Sequence, residues 1–157
     1  MVHIQHTRKG IAVALDRNVS LCDVTLQGKK CLITGETFAK IAELLVRQSI
    51  NEKGQPFNGL TTSKIRGIYA LIMNVYTRIN TPEDFEKNKA ELQYIKVKMA
   101  YEVGRDTSKA KPVLSFVQDT ALMRAIDSIK TYDQFVLYCR YAESLVAYFK
   151  FYGGKEK

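Results

Sequence analysis

From residue 37 onward, apolar side chains recur at steps of three and four, and that rhythm is reset four times by capping and proline signals. A chain written this way folds as a set of amphipathic helices packed by their apolar stripes. The first stripe uses Phe38, Ile41, Ala42, Leu44 and Leu45 and runs to about residue 50. Residues 51–59 hold Gly54, Pro56, Asn58 and Gly59, which favour turns, and read as a loop. A second helix is expected over 61–79, opened by the hydroxyls of Thr61, Thr62 and Ser63, with Ile65, Ile68, Tyr69, Ile72, Val75, Tyr76 and Ile79 inward. Thr81-Pro82-Glu83-Asp84 combines a cap, a first-turn proline and acids that suit the positive end of a helix dipole. It opens a third helix expected to end at Gly104. A fourth is expected from Pro112 to about 129, and a fifth from Thr131 until Gly153-Gly154 stops it.

The expected fold is therefore all-α, a compact five-helix bundle over residues 36–154 behind a variable N-terminal segment, 1–35. Residues 19–34 carry β-branched side chains around Gly28-Lys29-Lys30 and read equally as a small hairpin or a loose extension. Among the 157 residues no apolar run approaches the ~20 that a membrane span needs, and the first residues lack the apolar stretch of a secretory signal. A cytoplasmic protein without membrane contact is expected. Cys22, Cys31 and Cys139 are widely spaced and odd in number, which argues against a disulfide framework.

Few signs of catalysis are written here. There is no Gly-rich phosphate loop, no C-x-x-C and no H-E-x-x-H, and the only histidines, His3 and His6, lie at the terminus. Glu83, Asp84 and Glu86 suit the start of a helix better than acid–base chemistry. No cofactor and no metal are expected. A small ribonuclease built from Lys and Tyr stays open, as does a helical protein–protein interaction module.

The net charge of +8 favours a polyanionic partner. Residues 61–111 hold ten basic side chains against six acidic ones, so the excess continues through the middle of the chain. On the third expected helix, Lys87, Glu91, Tyr94, Lys98, Tyr101 and Arg105 follow steps of four, three, four, three and four and share one face. Leu92, Ile95, Met99 and Val103 form the core arc of the same helix. Rings alternating with long cations suit a sugar–phosphate backbone, because cations meet phosphates and rings stack on bases. Ordinary boundary tyrosines with snorkelling lysines would show the same spacing. On the second helix, Lys64 and Arg78 fall within about 40° of each other, and Arg66 lies across the polar arc. Tyr141 and Tyr148 edge the apolar face of the last helix.

Three segments resemble one family, the small subunit of the type III-A CRISPR–Cas effector, the Csm complex. Leu60-Thr61-Thr62-Ser63-Lys64-Ile65-Arg66 is similar to its L-T-T-S-x-I-R helix opening. Residues 95–105 resemble its K-x-K-x-A-Y-x-x-G-R stretch through Lys96, Lys98, Ala100, Tyr101, Gly104 and Arg105. Residues 143–153 are similar to its E-x-x-V-A-Y-x-K-x-Y-G close. The match spans roughly 37–154. The resemblance implies a helical bundle without nuclease activity, copies of which stack beside the backbone subunits and the large polymerase-like subunit. It implies that they line the path of target RNA paired to crRNA. By the family pattern Lys64, Arg66, Lys96, Lys98 and Arg105 are expected to touch RNA; Arg78, Tyr94 and Tyr101 come from charge geometry and the stripe. The small subunit of a type III-B (Cmr) complex is the neighbouring alternative.

Overall fold

The computed structural model describes residues 16–154. Two strands come first, β1 (Ser20–Leu26) and β2 (Lys29–Thr34). Six helices follow: α1 (Phe38–Gln48), α2 (Thr62–Tyr76), α3 (Pro82–Lys87), α4 (Lys89–Arg105), α5 (Pro112–Asp119) and α6 (Tyr132–Phe151). Short 3₁₀ turns occupy Pro56–Asn58 and Arg124–Ser128.

The fold is mainly helical but not all-α, because residues 20–34 form an antiparallel hairpin. Its two-residue turn, Gln27-Gly28, has positive φ at both positions, 50° and 81°. That backbone matches the right-handed twist of the flanking strands. Register slips by one residue between Ser20 and Asp23, a bulge that lets Leu21 and Val24 both face inward despite their odd spacing. Leu21, Val24, Leu26 and Ile33 join the same core as the helices. Polar side chains fasten the strand as well: Arg124 donates to the Asp23 carbonyl (2.8 Å), Gln134 to Ser20 (3.0 Å) and Gln48 to Thr25 (3.2 Å).

The capping signals hold. Thr61, Thr81 and Thr131 each accept a backbone N–H of the first turn, and Thr131 completes a capping box with Gln134. Two expected helices are nevertheless broken, so the count is six and not five. The 82–104 span divides at Asn88 (φ −114°, ψ 17°), whose side-chain amide donates to the Asp84 carbonyl at 2.8 Å. The 112–129 span stops at Thr120, whose buried hydroxyl donates back to the Phe116 carbonyl, and Ala121 then turns left-handed at φ 60°. What holds this bend is α6. Tyr141 donates to the Thr120 carbonyl and Tyr138 to the Leu122 carbonyl, each at 2.7 Å. Both tyrosines are fully buried, and burial keeps their phenols protonated far above the usual range, as donors must be. Tyr141 thus lies in the core and not at its edge; Tyr148 is half-buried.

Helix α6 is the centre of the molecule. It buries Phe135 through Cys139 in unbroken succession, then Tyr141, Ala142, Leu145 and Phe149, as a helix enclosed on most sides must. It packs against α1, α2, α3 and β1. Helix α4 packs against α2 and α5 and leaves one long side in water. No described helix is long and apolar enough to cross a membrane.

Candidate nucleic-acid interface

Helices α2 and α4 run antiparallel, pinned at both ends by ion pairs. Near the start of α2, Lys64 Nζ reaches Asp106 Oδ1 at 2.8 Å, just past the end of α4. Just past the end of α2, Arg78 Nη2 reaches Glu91 Oε1 at 3.2 Å, in the first turn of α4. Between these pins the inward side of α4 is apolar, with Leu92, Ile95 and Met99 buried.

The outward side carries the ring-and-cation stripe. Tyr94 is 54% exposed and Tyr101 66%, large values for rings of this size. Each ring lies beneath the cation one turn on. Lys98 Nζ sits 4.8 Å from the Tyr94 ring centre, and the Arg105 guanidinium carbon 5.9 Å from that of Tyr101. Exposed cation–π contacts of this kind contribute about 0.5–1 kcal/mol, enough to bias rotamers and too little to lock them. The repeat is ring, cation, ring, cation along one rod. Lys87, on the other side of the break at Asn88, belongs to α3, so on α4 the stripe starts at Glu91.

The other expected contacts differ in how far they are committed within the protein. Lys64 Nζ meets both Asp106 and the Ser108 hydroxyl (3.3 Å). Lys96 Nζ spans the two oxygens of Asp127 at 2.8 and 3.1 Å. Arg78 is shared between Glu91 and the Asn74 carbonyl, and Arg105 Nε meets Glu102 at 3.0 Å. Arg66 is exposed on α2, and neither it nor Lys98 has an ion pair among the described residues. Lys98, Arg105, Tyr94 and Tyr101 are therefore brought together on one surface. Lys64 and Arg78 sit at opposite ends of the α2–α4 seam, and Lys96 lies toward the 3₁₀ turn that holds Asp127.

Helical spacing did not reveal Asp106. Its side chain is 1% exposed, and it organises the connection from α4 to α5 by accepting from Lys64 and the backbone N–H groups of Ser108 and Val113. Burial alone would raise its pKa. The Lys64 ammonium and the N–H groups of Val113 and Ser108 outweigh that and hold it down at about 2. Lys64, Glu102, Arg105 and Asp106 line a polar cleft of about 270 Å³ at this end of the stripe. On the other flank of α4, Ala100, Val103 and Gly104 face Leu114 and Val117 across an apolar groove of about 610 Å³. Among the described residues no three His, Cys, Asp or Glu side chains are grouped to hold a metal ion, and His3 and His6 lie outside them.

Fold and surface together define a small, mainly helical domain whose most distinctive exposed feature is a rod of rings and cations. The family model described as Csm2 Type III-A matches residues 39–155. A protein of Enterococcus italicus named CRISPR system Cms protein Csm2 is 43% identical over 102 residues, which cover 61% of this chain and 70% of the relative. One of the same name from Streptococcus thermophilus is 33% identical over 126 residues, covering 80% and 98%. Another from Mycobacterium tuberculosis is 28% identical over 126 residues, covering 78% and 96%. The chain belongs to the Csm2 family of type III-A CRISPR–Cas systems, the Csm small subunit. The three-segment resemblance is borne out, and the family model is the type III-A one and not that of type III-B. The matched span begins one residue into α1 and leaves the docked hairpin outside.

Proposed function

We propose that this chain is a non-catalytic, RNA-binding structural subunit of a cytoplasmic type III-A Csm effector complex, lining the path of target RNA paired to crRNA. Its partners are the two RNA strands, neighbouring copies of itself, the backbone subunits and the large polymerase-like subunit. The observation that carries the reading is the outward stripe on α4, where Tyr94–Lys98 and Tyr101–Arg105 present rings and cations to solvent at helical spacing. Cations on such a rod meet phosphates whatever the bases are, and exposed rings stack on any base. Binding is then indifferent to sequence and sensitive to salt, as suits a subunit that must accept any guide. Affinity in isolation is low and grows on assembly, because each added copy raises the effective concentration of the next contact.

The test is retention of a labelled single-stranded RNA by the purified chain at low salt. The double variant Lys98→Glu/Arg105→Glu should lose about tenfold or more in affinity while its circular dichroism stays unchanged. Lys96→Ala, whose side chain leaves α4 on the side turned to Asp127 and away from the stripe, should change affinity less than twofold. Undiminished binding by the double variant rejects the interface. A second reading, docking of a protein partner, is favoured by one observation: Val97 is 58% exposed on the same helix, and the apolar groove opens on the flank of α4 that carries Ala100 and Gly104.

A further inference from the structure

We infer that Glu102 and Glu91 are built-in stand-ins for backbone phosphates, holding Arg105 and Arg78 in closed pairs that an incoming polyanion must displace. The inference rests on the reading of α4 as an RNA-binding face and says how that face is regulated. The cations near the stripe fall into two physical classes. Lys64 is bound to a carboxylate that is 1% exposed and accepts two further backbone N–H groups, so its partner cannot leave without unsatisfying a buried charge. Arg105 and Arg78 are different. Their side chains are 64% and 48% exposed, and their partners Glu102 and Glu91 are 30% and 38% exposed. Pairs this wet are screened and weak, so exchange costs little.

The geometry leaves room for that exchange. Arg105 spends Nε on Glu102, and Arg78 spends Nε on the Asn74 carbonyl and Nη2 on Glu91. The remaining guanidinium N–H groups match the planar, bidentate recognition of a phosphate. Glu102 and Arg105 line the polar cleft together, so the carboxylate already sits where an anion approaching Arg105 arrives. The two glutamates are eleven residues apart, about 16 Å along the helix axis, so they guard separate stretches of one strand. Lys98 between them has no carboxylate partner among the described residues and rests over Tyr94, ready for first contact. Encounter at Lys98 followed by opening of the flanking pairs keeps a free subunit from holding stray RNA tightly.

The experiment measures anisotropy of a fluorescent uridine oligonucleotide titrated with the full chain across a salt series. Glu102→Gln should tighten binding about threefold or more and steepen the salt dependence by roughly 0.7 in the log–log slope, one further phosphate neutralised. Glu91→Gln should act in the same direction. Glu86→Gln removes the same charge from an i,i+3 pair with Lys89 on another part of the surface and should change affinity less than twofold. Equal tightening by Glu86→Gln and Glu102→Gln would reduce the effect to net charge and overturn the inference. So would no tightening by Glu102→Gln while Lys98→Glu still abolishes binding. Binding that ignores Lys98→Glu and Arg105→Glu would instead remove the interface itself.

Discussion

Helix α4 carries two tyrosines and α6 four, and the two that α6 buries completely are used in the opposite way from the pair on α4. On α6, Tyr138 and Tyr141 have no solvent exposure, and their hydroxyls close the carbonyls of a bend that regular helix geometry leaves open. On α4, Tyr94 and Tyr101 stand more than half in water with cations across their faces. In the core the hydroxyl matters as well as the ring, because a buried carbonyl without a donor costs ~1–3 kcal/mol. At the surface it is the ring, a flat apolar area that water leaves available. One residue type therefore marks structure on one helix and the proposed binding face on the other, and burial separates the two.

The largest effect expected from this contrast is at Tyr141. Tyr141→Ala removes a fully buried ring and should destabilise the fold by about 3–5 kcal/mol. Tyr141→Phe keeps the ring and orphans the Thr120 carbonyl, at ~1–3 kcal/mol. Denaturant midpoints with unchanged slope would measure both. A Tyr141→Phe protein as stable as the parent would mean that the bend at Ala121 does not depend on α6.

The next effect lies where α4 stops being a surface rod and turns back into the core. Asp106→Asn keeps the shape but removes the charge that Lys64 and two backbone N–H groups share, and should cost about 1–3 kcal/mol. The pH dependence has a definite sign. The folded-state pKa is depressed to about 2, below an unfolded value of ~3.9. The stabilisation is therefore complete above the unfolded pKa and is lost as pH falls through about 2. The gap between parent and variant should thus shrink as pH falls from about 4 through about 2; a gap undiminished at pH 2 would contradict the assignment.

These two sites also show what a sequence discloses. Thr61, Thr81 and Thr131 each act through the residue three places on, so their capping roles are legible in one dimension. The bend after Thr120 was not legible, since its carbonyl is satisfied from 21 residues away. The hairpin was half-legible: its turn residues stood out, but the bulge that puts Leu21 and Val24 on one face breaks simple alternation. At the candidate interface the stripe followed from spacing alone, because a helix converts steps of three and four into one face. Which cations are already engaged did not follow. Lys64 meets Asp106 from 42 residues away, and Lys96 meets Asp127 from 31. A helical wheel cannot see a partner on another part of the fold.

The smallest effect is the most discriminating one. Tyr101→Phe, the change that is costly at Tyr141, should alter stability by less than about 0.5 kcal/mol, because Tyr101 is 66% exposed and leaves no buried carbonyl dependent on its hydroxyl among the described residues. It should also leave RNA affinity within about twofold, since a phenyl face stacks and receives Arg105 much as a phenol does. Tyr101→Ala also forfeits the Arg105 contact, so it should cost folding no more than about 1 kcal/mol, and it should weaken RNA binding by ~1–3 kcal/mol for the base it no longer stacks. Thermal melts and the salt-series titration read both quantities on the same samples. Loss of affinity in Tyr101→Phe would place recognition in the hydroxyl, and α4 would then use its tyrosines as α6 does, as hydrogen-bond donors and not as platforms.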